Sequence, residues 1–396
     1  MKGLKLGFVF CLLLQTFCFL SLLRLASSSE AQHIRNYFYV GGQYIYDGKG
    51  GHVVQDQMYV EELTPAAGCT KPYPLVFIHG IGQTGTNWLN KPDGGQGWAS
   101  YFLNLGYTIY LIDQTSRARS PWLPPPLNNV TSLSTITAEV IEQRFTNPES
   151  HNLWPQASLH TQWPGGPGKG IMGNEAFDAY YASNAPTVFA AVPQQTAMQA
   201  AGKALLGRLK RPVILIGHSQ GGAIPWIWAD SHPEFVHSII VLEPAGPPFI
   251  EPTLNGKTPA RAWGMTDIPI TWSPPVTNVS TDFVKTTIFS NSSSIEDCTL
   301  QVKNNTTKPR QMVNFKDIRV LVVTAQASWH AMYDWCTVKF LRQAGVGTDH
   351  AVLGDLGVEG NGHMMFLEMN SDVIASVLRR WIEKREVGVW AGEGRL

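Results

Sequence analysis

The chain has 396 residues, of which 44% are hydrophobic, so it can bury a sizeable core in one large domain or two small ones. Its 30 basic side chains balance its 30 acidic ones, without clustering of Lys and Arg. This charge balance excludes the electrostatic footprint of a nucleic-acid-binding protein and favours a neutral or apolar small-molecule partner.

The first 31 residues have the pattern of an export signal. Lys2 and Lys5 precede an apolar stretch that gives way to the small-residue segment "ASSSEA", which is typical of a cleaved signal peptide. We therefore predict a signal over residues 1–31 and a secreted domain over residues 32–396. An uncleaved membrane anchor is the alternative, whereas no later stretch is long and apolar enough to span a bilayer.

Apolar runs alternate with helical patterns along the rest of the chain. Two runs on either side of "DGKGG" predict an N-terminal antiparallel hairpin. Five later runs lack strict alternation, as strands buried on both faces do: "PLVFI", "YTIYLI", "PVILI", "HSIIVL" and "IRVLVV". The sequence therefore predicts an α/β fold, with a mostly parallel sheet covered by helices.

Two of the predicted helices have a clear apolar face. One face of "AMQAAGKALLGRL" carries Met198, Ala201, Leu205 and Leu209. The last helix repeats apolar residues at helical spacing, at Val373, Val377 and Trp381 and at Ile374, Leu378 and Ile382.

Two long stretches interrupt the alternation of strands and helices. Residues 121–190 are rich in Pro, Trp, Asn and Gly, and we predict that they form a cap over the active site. Residues 246–315 form a second excursion, which we predict to be an exposed, glycosylated loop. The predicted N-glycosylation sites of the chain are Asn129, Asn278, Asn291, Asn304 and Asn305.

Three cysteines remain after removal of the predicted signal, namely Cys69, Cys298 and Cys336. An odd number permits one disulfide and one free thiol. We favour a bridge between Cys298 and Cys336, because Cys298 lies in a polar loop that such a bridge would tether.

Ser219 lies in the pattern Gly-x-Ser-x-Gly, between a predicted strand and a predicted helix. Small residues at Gly217 and Gly221 allow a strained turn to lift the serine above the sheet edge, where a base can reach its hydroxyl. The helix that follows contains Pro225, at which we expect a kink. The alternative is a turn serine that caps this helix.

An oxyanion hole needs two backbone N–H donors that face the developing charge. Gln220 follows the nucleophile and supplies one. The glycine-rich segment "HGIGQTG" after an earlier strand supplies the other, which we assign to the Ile81 amide with Gly82 as the near alternative. A glycine-rich connection without a catalytic role is the remaining interpretation.

The base is expected to be a histidine late in the chain, since triad partners of this type run Ser, acid, His. His363 lies on a glycine-flanked loop just before the final helix and is our choice, with His350 the main rival.

The position of the acid is unusual. The loop after "IRVLVV" carries no carboxylate until Asp334, whereas the preceding predicted strand ends at Glu243, on the same edge as Ser219. Glu243 is therefore our choice for the residue that orients the imidazole. Asp334 and Asp349 stay open as alternatives, as does a structural role for Glu243.

After the signal, the whole chain resembles the secreted α/β-hydrolase-fold esterases of bacteria and fungi, a group that includes a bacterial esterase with a glutamate as triad acid after its sixth strand. The matching segments are "YVGGQYI", "QMYVEELTP", "FIHGIGQTGTNW", "LHTQWPG", "GHSQGGAIPW", "LEPAGPPF", "WGMTDIPITWSPPV" and "GHMMFLEMNS". The resemblance implies an α/β-hydrolase fold with Ser219 as nucleophile, Glu243 as acid and His363 as base. It also implies donors from the Ile81 region and from Gln220.

Two features depart from that family. The loop over residues 278–305 is enlarged, and no paired cysteines follow His79 and Gly80. Both departures bear on substrate choice and on the disulfides.

These residues together predict a serine hydrolase that cleaves carboxylic esters or lactones through an acyl-enzyme, without a metal or an organic cofactor. Trp226, Trp228 and Trp263 suggest an aromatic pocket, although core packing explains each of them individually. An acyltransferase with the same triad and a binding module without catalysis are the alternatives.

Overall fold

The computed structural model describes residues 30–125, 127–128 and 132–384. The predicted signal therefore lies outside the described residues except for its last two positions, and the glycosylation site at Asn129 lies outside them as well. Over the described residues, no helix has both the length and the apolarity needed to cross a membrane.

An eight-stranded sheet forms the centre of the molecule. The strands of the described residues are, in chain order, β1 His33–Tyr46, β2 His52–Pro65, β3 Leu75–Ile78, β4 Ile109–Asp113, β5 Leu133–Ser134, β6 Thr187–Val188, β7 Val213–His218, β8 Val236–Leu242, β9 Lys285–Ile288, β10 Cys298–Gln301, β11 Arg319–Thr324 and β12 Thr348–Val352. The sheet has the order β1-β2-β4-β3-β7-β8-β11-β12. Strands β1, β2 and β4 pair antiparallel, and the pairs from β4 to β12 are parallel.

Helices cover both faces of this sheet. In chain order they are α1 Trp98–Asn104, α2 Ala138–Ile141, α3 Glu175–Ala182, α4 Ala191–Leu209, α5 Ile224–Ser231, α6 Val279–Asp282, α7 Asp334–Gln343 and α8 Ser371–Glu383. Alternate residues of one strand point to opposite faces, so Leu75 and Phe77 pack with α1 and α8, whereas Val76 and Ile78 pack with α4, α5 and α7.

The N-terminal hairpin and the five predicted buried strands are confirmed. Every residue of β3, β4 and β7 is buried, which explains why these strands lack alternation. The sequence did not identify β12, because its segment "TDHAV" is mostly polar and three of its five residues are only partly buried.

The helical predictions need two corrections. Leu209, although only partly buried, packs against the same core as its three predicted partners on α4, whereas Val373 is 49% exposed. The kink predicted at Pro225 is wrong: this residue lies in the first turn of α5, where a helix needs no N–H donor.

The first excursion, residues 121–190, consists of short elements. Strands β5 and β6 pair antiparallel, and α2 continues into a π-helical turn over Glu142–Thr146. Hydrogen bonds join this excursion to the loop before α8, from the Thr161 amide to the Gly360 carbonyl at 2.9 Å and from the Met369 amide to the Gln162 carbonyl at 2.9 Å.

The second excursion, residues 246–315, carries the antiparallel pair β9 and β10. Cys298 at the start of β10 is bonded to Cys336 in α7, which confirms the predicted disulfide, and Cys69 is free and exposed. Four predicted glycosylation sites lie on this excursion and have exposed side chains, namely Asn278, Asn291, Asn304 and Asn305. Their glycosylation stays a prediction.

Candidate active site

Ser219 lies directly after β7, at the carboxyl edge of the sheet. Its φ angle of +54° is in the left-handed region, and a tight turn over Ser219–Ala223 leads into α5. Space requires both flanking glycines: a Cβ at Gly217 would lie 2.9 Å from the Gly221 carbonyl oxygen, and one at Gly221 would lie 2.2 Å from the His79 carbonyl oxygen. Such strain is typical of a turn that presents a nucleophile.

The predicted acid and base lie in contact near this turn. Glu243 reaches the same edge as Ser219 because β8 neighbours β7, with His218 opposite Leu242. Oε2 of Glu243 is 2.5 Å from Nδ1 of His363, and both side chains are buried. The structure therefore brings together two side chains that are 120 residues apart in the chain.

Two further donors hold the Glu243 carboxylate. The Ala325 amide donates to Oε1 at 2.8 Å, and the Ser328 hydroxyl donates to Oε2 at 2.7 Å. Both belong to the loop after β11, which lacked a carboxylate in the sequence. This loop therefore supplies hydrogen-bond donors to an acid carried by the neighbouring strand.

Burial has opposite effects on the two partners. It raises the pKa of Glu243 well above its usual range, and the nearby Asp334 carboxylate adds to the effect. Burial lowers the pKa of His363 well below its ordinary value, and the neighbouring rings of His218 and His330 lower it further. The imidazole is therefore held in its neutral form, which is the form that can accept a proton.

Aromatic rings surround the imidazole of His363. Phe145 from the first excursion stacks on it at 5.2 Å, Trp329 lies at 4.3 Å, and His330 stacks at 5.1 Å. Nε2 of His363 is buried and has no hydrogen-bond partner among the described residues. The described residues therefore contain no hydrogen bond between His363 and Ser219.

The rival residues have other partners. His350 on β12 hydrogen-bonds through Nε2 to the Thr324 hydroxyl at 2.9 Å. Asp334 hydrogen-bonds to His330 at 3.0 Å. Asp349 accepts a hydrogen bond from the indole N–H of Trp381 in α8 at 2.7 Å. None of the three is hydrogen-bonded to His363 in the described part of the chain.

The loop after β3 approaches the Ser219 turn closely. A Cβ at Gly80 would lie 3.0 Å from the Cβ of Ser219. The Ile81 and Gly82 amides donate to no other group of the described residues, so each has the free N–H that an oxyanion donor requires. Gln220 is only partly buried beside the serine.

Three buried side chains could in principle hold a metal ion, because ligand atoms of Glu243, His330 and His363 lie within 4.8 Å of one another. Most of these ligand atoms already have hydrogen-bond partners, however. His363 Nδ1 is bonded to Glu243, and the two ring nitrogens of His330 are bonded to Asp334 and to the Tyr333 hydroxyl. The cluster is best described as a hydrogen-bond network.

The aromatic residues of the site differ from the tryptophans singled out in the sequence. Trp226 and Trp228 are fully buried in the core on the α4 and α5 side of the sheet, and Trp263 packs against the same core. Phe145 and Trp329 contact the imidazole instead. The sequence offered no signal for Phe145, which lies in the π-helical turn that follows α2.

Two other buried side chains near the site were not identified from the sequence. Nε2 of His218 is 3.0 Å from the His363 carbonyl oxygen, so it donates to the loop that carries the base. Arg117 donates to the Gly80 carbonyl at 2.8 Å and to the Gln220 side chain at 3.1 Å. Nothing in the sequence indicates that Arg117 is buried or that it contacts the Gly80 loop.

Comparison with known proteins supplies independent information. Residues 75–377 match the model of the alpha/beta hydrolase family. A fungal protein named "Probable secreted lipase phiG" (Fungal sp., strain ATCC 74256) is 43% identical over 353 residues, which is 89% of this chain and 90% of the relative. A solved protein described as a novel bacterial esterase is 22% identical with a TM-score of 0.57, over 88% of this chain and 95% of that one.

Proposed function

This chain belongs to the alpha/beta hydrolase family, and from that premise we propose that it hydrolyses carboxylic esters or lactones through an acyl-enzyme on Ser219. The observation that carries the proposal is the 2.5 Å contact between Glu243 and His363 at the sheet edge that bears the strained Ser219 turn. The name of the fungal relative, a lipase, supports the same class of substrate.

In the proposed reaction, Nε2 of His363 takes the hydroxyl proton of Ser219 as the serine oxygen attacks the ester carbonyl. The oxyanion that forms accepts hydrogen bonds from the amides of Ile81 and Gln220. When the tetrahedral intermediate collapses, His363 gives the proton to the departing alkoxide. Water, activated by the same imidazole, then hydrolyses the acyl-enzyme and releases the acid.

Glu243 keeps the imidazole in the productive tautomer in this scheme. Its carboxylate accepts a hydrogen bond from the Nδ1–H, so that the Nε2 lone pair is available to the serine, and it stabilises the imidazolium that forms during the reaction. The donors Ala325 and Ser328 oppose the effect of burial, because they favour the charged form of the carboxylate.

We propose further that residues 121–190 act as a cap. Phe145 of this segment stacks on the imidazole, and the Gln220 side chain reaches the Val188 carbonyl at 3.4 Å. Such contacts give the substrate an apolar, water-poor environment. The predicted signal and the name of the secreted fungal relative support export, with which the Cys298–Cys336 bridge agrees.

The test is covalent labelling with a fluorophosphonate, followed by peptide mapping. We expect one adduct, on Ser219, and neither labelling nor ester turnover in Ser219→Ala. Hydrolysis of a graded series of acyl esters and lactones then identifies the substrate class, and an added alcohol reveals any preference for acyl transfer. An unlabelled Ser219 in folded protein would refute the proposal.

A further inference from the structure

Arg117 is a buried cation without an acidic partner in contact. Its side chain is 2% exposed, and among the ion pairs of the described residues none includes it. Its neighbour Arg119, in contrast, pairs with Asp113 and Glu61. Burying a guanidinium that forms no ion pair is costly, so its position calls for an explanation other than stability.

The contacts of Arg117 converge on the two segments that carry the proposed oxyanion donors. Nη1 donates to the Gly80 carbonyl at 2.8 Å, and Nη2 donates to the Gln220 side chain at 3.1 Å. Burial lowers the pKa of Arg117 to about 9, against an opposing effect of Asp113, so the group stays charged at neutral pH.

His79 provides a second donor to the same carbonyl. The Gln114 amide donates to Nε2 of His79 at 3.0 Å, which makes Nε2 an acceptor and places the ring proton on Nδ1. Nδ1 lies 3.0 Å from the Gly80 carbonyl oxygen. Burial, with repulsion from Arg117, lowers the pKa of His79 to about 3, which is consistent with a neutral ring of this tautomer.

The carbonyl of Gly80 and the N–H of Ile81 belong to one peptide group. Hydrogen bonds to a carbonyl oxygen draw electron density toward it and make the N–H of the same group a stronger donor. They also fix the plane of the peptide, and therefore the direction in which that N–H points. The Ile81 N–H is free of partners in the described residues.

We propose that Arg117 and His79 are positioning residues for the oxyanion hole, which hold and polarise the Gly80–Ile81 peptide group so that the Ile81 N–H stabilises the transition state. This inference rests on the proposed function and deepens it, since it selects Ile81 over Gly82 as the donor. Arg117 also donates to the Gln220 side chain at 3.1 Å, so one cation contacts both segments that carry the proposed donors.

The first experiment compares the kinetics of Arg117→Gln with those of the wild type. We expect kcat to fall roughly 10-fold with little change in KM, a smaller loss than the roughly 10²–10³-fold cost of removing a donor. Arg117→Lys, which keeps the charge, should recover part of kcat. Arg261→Gln is the matched control, because the Arg261 side chain is buried and, within the described residues, hydrogen-bonds to Pro247, Ile250 and Glu251 rather than to the proposed site.

The second experiment reads the peptide group directly. The sequence contains two Gly–Ile bonds, 80–81 and 170–171, so protein labelled with ¹³C′-glycine and ¹⁵N-isoleucine gives two carbonyl-edited amide signals. In Arg117→Gln we expect the Ile81 signal to move upfield in both dimensions while the Ile171 signal stays in place.

Two results would overturn the inference: an Ile81 signal that does not move, or losses of kcat that are equal in Arg117→Gln and Arg261→Gln. Melting temperatures identify a variant that has not folded. If Arg117→Gln does not fold, kcat of Arg117→Lys is compared with that of the wild type instead. The amide signal is independent of turnover, so a failure of the proposed function, seen as an unlabelled Ser219, is distinguishable from a failure of this inference.

Discussion

At the scale of single residues, the acid Glu243 depends on groups that the sequence does not associate with it. Its φ angle is +47°, an unusual value for a residue with a side chain, and three donors surround its carboxylate. The order of residues along the chain pointed to Glu243 and His363. The supporting donors Ala325 and Ser328 come from the loop after β11 and could not be paired with Glu243 without the order of the strands in the sheet.

Replacing Glu243 with Gln tests the role of this carboxylate. We expect kcat to fall by about 10⁴-fold, because an amide does not enforce the Nδ1–H tautomer of His363 or stabilise its charged form. Asp349→Asn is the matched control, since Asp349 is a rival acid that contacts Arg319 and α8 instead. Steady-state kinetics and melting curves make the comparison. Equal kcat in Glu243→Gln and wild type would rule out the assigned role.

The lowered pKa of His363 predicts the acid limb of the pH profile. The imidazole must be neutral to accept a proton, so kcat/KM is retained above its folded-state pKa and lost as the pH falls below it. Because that pKa lies well below 6.5, we expect kcat/KM to be nearly constant from pH 7 down to 6.5 and to fall only in more acid buffer. A fall in kcat/KM with its midpoint above pH 6.5 would contradict this expectation.

At the scale of elements, one buried histidine joins the first excursion to the loop that carries the base. His160 contacts Glu149 at 2.7 Å and Glu368 at 2.9 Å, and Glu368 accepts the Gly362 amide at 2.9 Å, one residue before His363. Burial lowers the pKa of His160, but the hydrogen bonds to Glu149 and Glu368 outweigh this effect and raise it to about 9.

This pKa predicts that stability depends on pH in the alkaline range. The folded-state pKa of His160 is higher than its usual 6.5, so its contribution to the free energy of unfolding is complete below about pH 6.5. The contribution is lost as the pH rises through 9 and amounts to about 3 kcal/mol at most. Urea denaturation at several pH values should show a decline in the wild type that is smaller in His160→Gln. Parallel curves for the two proteins would show that His160 does not carry the effect.

Elements with strong local patterns were predicted well, and those fixed by tertiary contacts were not. The apolar runs that form β3, β7 and β8 could be predicted without knowledge of tertiary contacts, because strands buried on both faces consist mostly of apolar residues. Strand β12 is polar and becomes a strand because β11 offers it a parallel edge. His160 shows the same limit in the site, since nothing near it in the chain reveals that it meets Glu368.

At the scale of the whole molecule, the parallel strands gather the proposed functional residues at one edge. The neighbours β3, β7 and β8 end at the Gly80 loop, at Ser219 and at Glu243, respectively. Groups from three distant parts of the chain thereby become adjacent without any of them being adjacent in sequence. The two excursions lie outside this arrangement; the second packs into the core through residues such as Trp272 and Phe315 and has a covalent anchor as well.

The disulfide is that anchor, and its removal should separate stability from activity. Cys298 and Cys336 close a loop with a sequence separation of 38, for which loop-closure entropy predicts a stabilisation of about 4 kcal/mol. In the described part of the chain, neither cysteine is hydrogen-bonded to Ser219, Glu243 or His363. We therefore expect the double variant Cys298→Ala/Cys336→Ala to lose stability in urea denaturation. Its kcat at 25 °C should stay within about twofold of the wild-type value. Cys69→Ala, at the exposed free thiol, is the control and should change neither quantity. If the double variant kept wild-type stability, or lost kcat while still folded, the disulfide would have a different role from the one proposed here.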